Sequence, residues 1–119
     1  METYKIQKLS ELSQVPPHQL RYWDRIGLLK PSVKASAGKG SARLYSEEDV
    51  EAARTIGRLR KEGASLQKIR KAVARIQNGM TGINRWEEYT FVVDGKNVIV
   101  PEVDTWFKEQ LAFPFAKSG

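Results

Sequence analysis

The residues able to do chemistry in this 119-residue chain gather in one short stretch. Leu20, Trp23 and Ile26 recur every three residues, and His18, Gln19, Arg21, Tyr22 and Arg25 fall mainly on the opposite side of the same helical repeat. One side is built to pack, and the other presents cations, amide and imidazole hydrogen-bonding groups and a flat ring. Such a face suits recognition of an anionic partner. It does not suit bond-making: His18 is the only histidine, cysteine is absent, and no acid/base or nucleophile grouping stands out. An enzyme is therefore not expected, nor is a cofactor. The absence of cysteine also removes disulfides, thiolate metal sites and thiol redox sensing.

Charge follows the same division. Residues 1–77 hold 16 Lys/Arg against 8 Asp/Glu, net +8, whereas residues 78–119 hold 4 against 6, net −2. The first part thus calls for an anionic partner, and the second for a different task. Nucleic acid is favoured over a membrane surface, because no basic stretch also carries a broad apolar face rich in Trp or Phe. No apolar run approaches the 18 to 20 or so residues that span a bilayer, and METYKIQKL lacks a signal core, so a cytoplasmic, nucleoid-associated location is expected.

Four short helices must position these residues. Leu9, Leu12 and Val15 mark the first, which ends at Pro16. Pro17 suits the first position of the second, where a missing N–H costs nothing, and Gly27 closes it. Residues 30–45, KPSVKASAGKGSARLY, lack helical periodicity and read as a flexible basic loop with short strands at its ends. Ser46 opens a third helix, with Asp49 three residues on as an approximate capping box and Val50, Ala53, Ile56 and Leu59 as the buried stripe. Ser65 caps a fourth, carrying Leu66, Ile69, Val73 and Ile76. Two short helices joined by a tight turn, the second basic and aromatic, with a basic loop behind it, have the layout of a winged helix-turn-helix, in which a helix enters the major groove.

Beyond Asn78-Gly79, residues 78–84 read as a linker and 85–119 as a separate element. Tyr89, Phe91 and Val93 alternate, Asp94-Gly95 reads as a two-residue turn, and Val98 and Val100 alternate again. That turn sets Phe91 opposite Val98 and Tyr89 opposite Val100. Glu102 to Leu111 reads as a short helix burying Val103, Trp106 or Phe107, and Leu111. A lone hairpin is marginal in water, so its apolar face needs cover from a helix, the N-terminal part or another chain. The expected fold is mostly α with small β, and Tyr89, Phe91, Val93, Val98, Val100, Trp106 and Phe107 are the expected partner or dimer surface.

The run Leu20-Arg21-Tyr22-Trp23-Asp24-Arg25-Ile26-Gly27-Leu28-Leu29-Lys30-Pro31, then Arg43-Leu44-Tyr45-Ser46-Glu47-Glu48-Asp49-Val50, then Arg60-Lys61-Glu62-Gly63-Ala64-Ser65-Leu66-Gln67-Lys68-Ile69, resembles the MerR family of bacterial transcription regulators over about residues 4–77. The resemblance implies a sequence-specific regulator of double-stranded DNA. It places Arg21 and Tyr22 at recognition-helix contacts, and Arg43 and Tyr45 on the wing against the flanking backbone. His18 and Gln19, in the helix's first turn behind Pro17, then become readers of base edges, and Arg25, Lys34 and Lys39 phosphate partners. Bland rivals stand beside these roles: Tyr22 as a core aromatic, His18 as an idle helix-start residue, Lys39 as merely mobile between two glycines. Arg54, Arg58, Arg70 and Arg75 read as a solvated face.

The chain departs from the family after residue 77, where members continue into a long dimerisation helix. A homodimer through the hairpin face is expected instead, with RNA polymerase or another protein as a further partner. Two other readings stay open on the sequence alone: a DNA-bending accessory protein of the excisionase type, and an antitoxin whose C-terminal element covers a partner protein.

Overall fold

A computed structural model describes residues 2–34, 43–78, 86 and 89–104. Among these residues the architecture is mostly helical with one small sheet, and the chain divides into two compact units, 1–61 and 62–119.

In the first unit, α1 (Ile6–Ser13) and α2 (Pro17–Arg25) form a helix-turn-helix, and α3 (Glu47–Lys61) packs on α1. Ile6, Leu9, Val15, Leu20, Trp23, Ile56 and Leu59 lie in its core. Each boundary has a local cause. α1 ends at Ser13, three residues before the expected Pro16, and is closed by Gln14, a left-handed residue (φ +63°) whose N–H donates to Ser10 O at 2.9 Å. Pro17 starts α2 in the first turn, where no N–H is needed. At the end of α2, Leu28 N–H donates to Trp23 O at 2.8 Å and Gly27 N–H to Asp24 O at 3.1 Å, with Gly27 at φ +78°: a Schellman closure requiring a left-handed residue. The capping box opening α3 is reciprocal, Ser46 N–H donating to Asp49 Oδ2 at 2.9 Å and Asp49 N–H to Ser46 Oγ at 3.2 Å. Backbone bridges join Tyr4 to Tyr45 and Lys34 to Leu44, so the two ends of the loop after α2 run antiparallel to each other. Lys39, inside that loop, lies outside the described residues.

In the second unit, α4 (Leu66–Asn78) starts behind Ser65, whose Oγ accepts from Lys68 N–H at 3.2 Å. It packs on β2 (Asn97–Ile99), which pairs antiparallel with β1 (Val92–Asp94). The cover that the hairpin needs is thus supplied by α4. The fourth helix, expected to fold with the three before it, belongs to the same compact unit as the hairpin.

The hairpin register differs from the one expected. Val93 pairs with Val98 and Asp94 with Asn97, which makes Gly95 and Lys96 the central turn residues rather than Asp94 and Gly95. Gly95 has φ +65°, the glycine position of a type II′ turn, whereas an Asp-Gly turn would need positive φ at Asp94 as well. Moving the turn by one residue shifts each strand partner by two, so the inward face keeps its members. Phe91, Val98 and Val100 are buried, Tyr89 and Val93 half-buried, and Val92 exposed. Phe91 also stacks on Trp86 at 5.6 Å.

Two acids hold the chain that follows β2. Asp104, buried, accepts from Arg75 Nε at 2.6 Å and from Val100 N–H at 2.8 Å, while Arg75 Nη2 also donates to Val98 O at 3.1 Å. Arg75, expected on a solvated face, is therefore a structural ligand of the hairpin. Glu102 accepts from Thr90 N–H and Oγ1 at 2.9 and 2.8 Å; partial burial pushes its carboxyl up, and these two donors outweigh that and leave it lowered. Pro101 to Val103 form a turn rather than the first residues of a helix, and Trp106, Phe107 and the rest of the expected C-terminal helix lie outside the described residues.

Candidate nucleic-acid interface

The α2 helix sorts its side chains as its three-residue repeat requires. Leu20 and Trp23 are almost wholly buried, and His18, Gln19, Arg21 and Arg25 are exposed. Tyr22 is 43% exposed, which removes the core-aromatic alternative, and the Arg25 guanidinium lies 5.7 Å from its ring centroid. Pro17, half-buried, sets the helix start. The structure therefore brings Gln19, Arg21, Tyr22 and Arg25 onto one solvent-facing helix with His18 in its first turn.

Arg43 joins this group through an acid. Its Nε donates to Asp24 Oδ2 at 2.6 Å, tying the end of the loop to the last turn of α2. Lys30 approaches the same carboxylate, Nζ lying 3.4 Å from Asp24 Oδ1 and 3.2 Å from Asp24 O. Lys34, opposite Leu44 in the loop's paired base, is exposed. No sequence pattern announces the Asp24 connections, since Asp24 sits in the motif as one more polar residue and its partners are 6 and 19 positions away.

Tyr45 is placed differently from the expectation. Its side chain is fully buried, not presented to a partner's backbone, and its hydroxyl has no hydrogen-bond partner. Burial first, and the nearby Asp24 charge second, push this phenol up to about 12. Its backbone pairs with Tyr4 through two bonds of 2.8 Å, which seat the loop against the N-terminal residues. The preceding Leu44 and Arg43 lie where backbone pairing with Lys34 and ion pairing with Asp24 fix them.

Asp49 does more than cap α3. Its Oδ2 also accepts from Ser32 N–H at 2.9 Å and Ser32 Oγ at 2.7 Å, so one carboxylate fixes both the start of α3 and the chain entering the loop. The capping spacing signals the first role; nothing local signals the second.

Among the described residues, no group of three or more His, Cys, Asp or Glu could hold a metal ion, and no helix is long and apolar enough to cross a membrane.

A helix-turn-helix with an exposed basic and aromatic second helix, and a loop whose end is tied to that helix by an ion pair, belongs to the class of helix-turn-helix regulators. The sequence profile of the MerR HTH family of regulatory proteins matches residues 4–76, from the strand residue before α1 into the last turn of α4. The chain belongs to the MerR family. It is 34% identical over 95 residues to an uncharacterized HTH-type transcriptional regulator of Mycobacterium tuberculosis, a match that takes in 80% of this chain and 41% of that one. It is 30% identical over 71 residues to the HTH-type transcriptional regulator ZntR of Escherichia coli, covering 60% of this chain and 48% of ZntR. A crystal structure of a MerR-family transcriptional regulator from Bacillus cereus superimposes with a TM-score of 0.53 at 28% identity, over 70% of this chain and 56% of that one. The chain thus spans about two fifths of the mycobacterial regulator's length. With three residues ahead of Tyr4, a 95-residue match runs past α4 into the hairpin.

Proposed function

We propose that this chain binds double-stranded DNA sequence-specifically and regulates transcription, with α2 in the major groove and the loop between Lys34 and Leu44 acting as a wing on the flanking backbone. The observation that carries this reading is the division of α2 itself: every large apolar side chain turns inward, while Gln19, Arg21, Tyr22 and Arg25 share the solvent side. His18 and Gln19 are the base readers, because the first turn of a recognition helix reaches deepest and a Gln amide matches an adenine edge in two bonds. Arg21, Arg25, Lys34, Lys39 and Arg43 contact phosphate, Tyr22 stacks against the sugar-phosphate wall, and Pro17 fixes where the helix begins.

Two copies on two half-sites form the functional species, since one such domain makes few contacts. Phe91, Val98 and Val100 are occupied within their own unit, so the pairing surface draws on Tyr89, Val93 and exposed positions such as Val92. No catalytic step is assigned, and the protein acts in the cytoplasm on the nucleoid, with RNA polymerase or another protein reached through the residues after α4.

The test is recovery and sequencing of DNA bound in cells, followed by titration of the recovered site. Gln19→Ala should relax preference at one base position, whereas Arg21→Ala should weaken all sequences alike and lower the salt dependence. Binding by both variants indistinguishable from the parent would refute the assignment.

A further inference from the structure

Asp24 lies on the helix proposed to meet a polyanion, yet it is an acid. A carboxylate there repels phosphate, and its side chain is only 12% exposed, both unfavourable unless it does something else. What it holds is Arg43. An arginine carries five N–H donors in a rigid fork, and this pair uses the Nε–H alone. Among the described residues no hydrogen bond engages either Nη, and the Arg43 side chain remains 25% exposed.

We propose that Asp24 is a positioning residue for Arg43, gripping the guanidinium by Nε so that its two Nη groups meet a DNA phosphate, and keeping that grip in the complex. This rests on the DNA-binding reading above. The physical gain is preorganisation. A free arginine loses much of its rotamer freedom when it docks; here the loss occurs on folding, and the carboxylate fixes which edge of the fork faces outward. Lys30, 68% exposed at 3.4 Å, is too long and too solvated to set such a geometry, and serves to lessen the acid's charge.

Asp24→Asn separates this role from plain electrostatics by sign. Removing a negative charge beside the DNA should tighten binding if charge alone matters; the positioning role predicts weaker binding, by about five- to tenfold for a weakened charge-assisted bond. In an Arg43→Ala background the same substitution should leave affinity unchanged or slightly raised. Weakening that persists without Arg43 would mean damage to the fold and overturn the proposal, as would tighter or unchanged binding by Asp24→Asn alone. As a second readout on the unmodified protein, the Arg43 15Nε–H resonance should stay sharp and slowly exchanging at saturating duplex. Its loss would show that Arg43 leaves Asp24 and would overturn the proposal. A parent chain with no salt-sensitive duplex binding would instead sink the functional reading, along with this one.

Discussion

A single buried hydroxyl separates two roles for the motif Arg43-Leu44-Tyr45. Tyr45 Oη is enclosed without a partner, and an unsatisfied buried donor is a cost the fold carries. Tyr45→Phe keeps the ring and removes that cost, so thermal unfolding should show stability unchanged or raised by up to about 1 kcal/mol, with DNA affinity within about twofold of the parent. A stability loss above 1 kcal/mol would point to an unseen partner for the hydroxyl. The alkaline response follows from the phenol's position near 12. The folded chain holds this proton while the unfolded chain releases it near pH 10, so stability contributed by the neutral phenol is present below pH 10 and lost as pH rises towards 12. In Tyr45→Phe, urea midpoints measured from pH 9 to pH 11.5 should fall less steeply than in the parent.

Helix boundaries and stripes were legible because their causes lie within four residues. Pro17, Gly27, Ser46 and Ser65 each act on neighbouring backbone groups, and Ile56 and Leu59 or Ile69 and Val73 share a face by helical geometry alone. Ion pairs between elements were not legible. Arg43 to Asp24 and Arg75 to Asp104 bridge 19 and 29 positions, and a charge in sequence looks the same whether solvated or paired. The hairpin shows a third case: Asp94-Gly95 and Gly95-Lys96 both offer a two-residue turn, and both place Phe91, Val98 and Val100 inward, so alternation could not choose between them.

These elements differ in how far their caps reach, and the difference is measurable. Ser46→Ala removes one cap of α3 and should cost about 1 kcal/mol. Asp49→Ala strips the partner from two backbone N–H groups and one of two acceptors from the Ser32 hydroxyl, whose other is Ser46 Oγ at 2.8 Å, and should cost about 2 to 4 kcal/mol by urea unfolding. Equal costs would mean that the bond from Ser32 N–H contributes nothing beyond the cap. Gly95→Ala tests the turn backbone in the same way: a β-carbon at φ +65° should destabilise the hairpin by about 1 kcal/mol, although nothing lies within 4 Å to clash with it.

At the scale of the whole molecule, the charge ledger of the two units decides where a polyanion is held. Residues 1–61 carry 12 Lys/Arg and 7 Asp/Glu, net +5, and residues 62–119 carry 8 and 7, net +1. A uniform coat of charge would attract DNA without orienting it, whereas on the proposed function this imbalance would direct a duplex to the unit that presents Arg21, Arg25, Lys34 and Arg43. If those four and Lys39 neutralise one phosphate each, the logarithm of the binding constant should fall with the logarithm of salt at a slope of about −4.5 per chain. Raising monovalent salt fourfold would then weaken a single chain by about 500-fold. Two copies clamped on paired half-sites sum their contacts, so the slope should roughly double on a two-site duplex and return to the single value on a half-site. Fluorescence anisotropy across a salt series on both duplexes therefore reads contact number and stoichiometry together. Equal slopes on the two would place one chain on each and remove the dimer from the proposed mechanism, while a slope near zero would remove phosphate contact altogether.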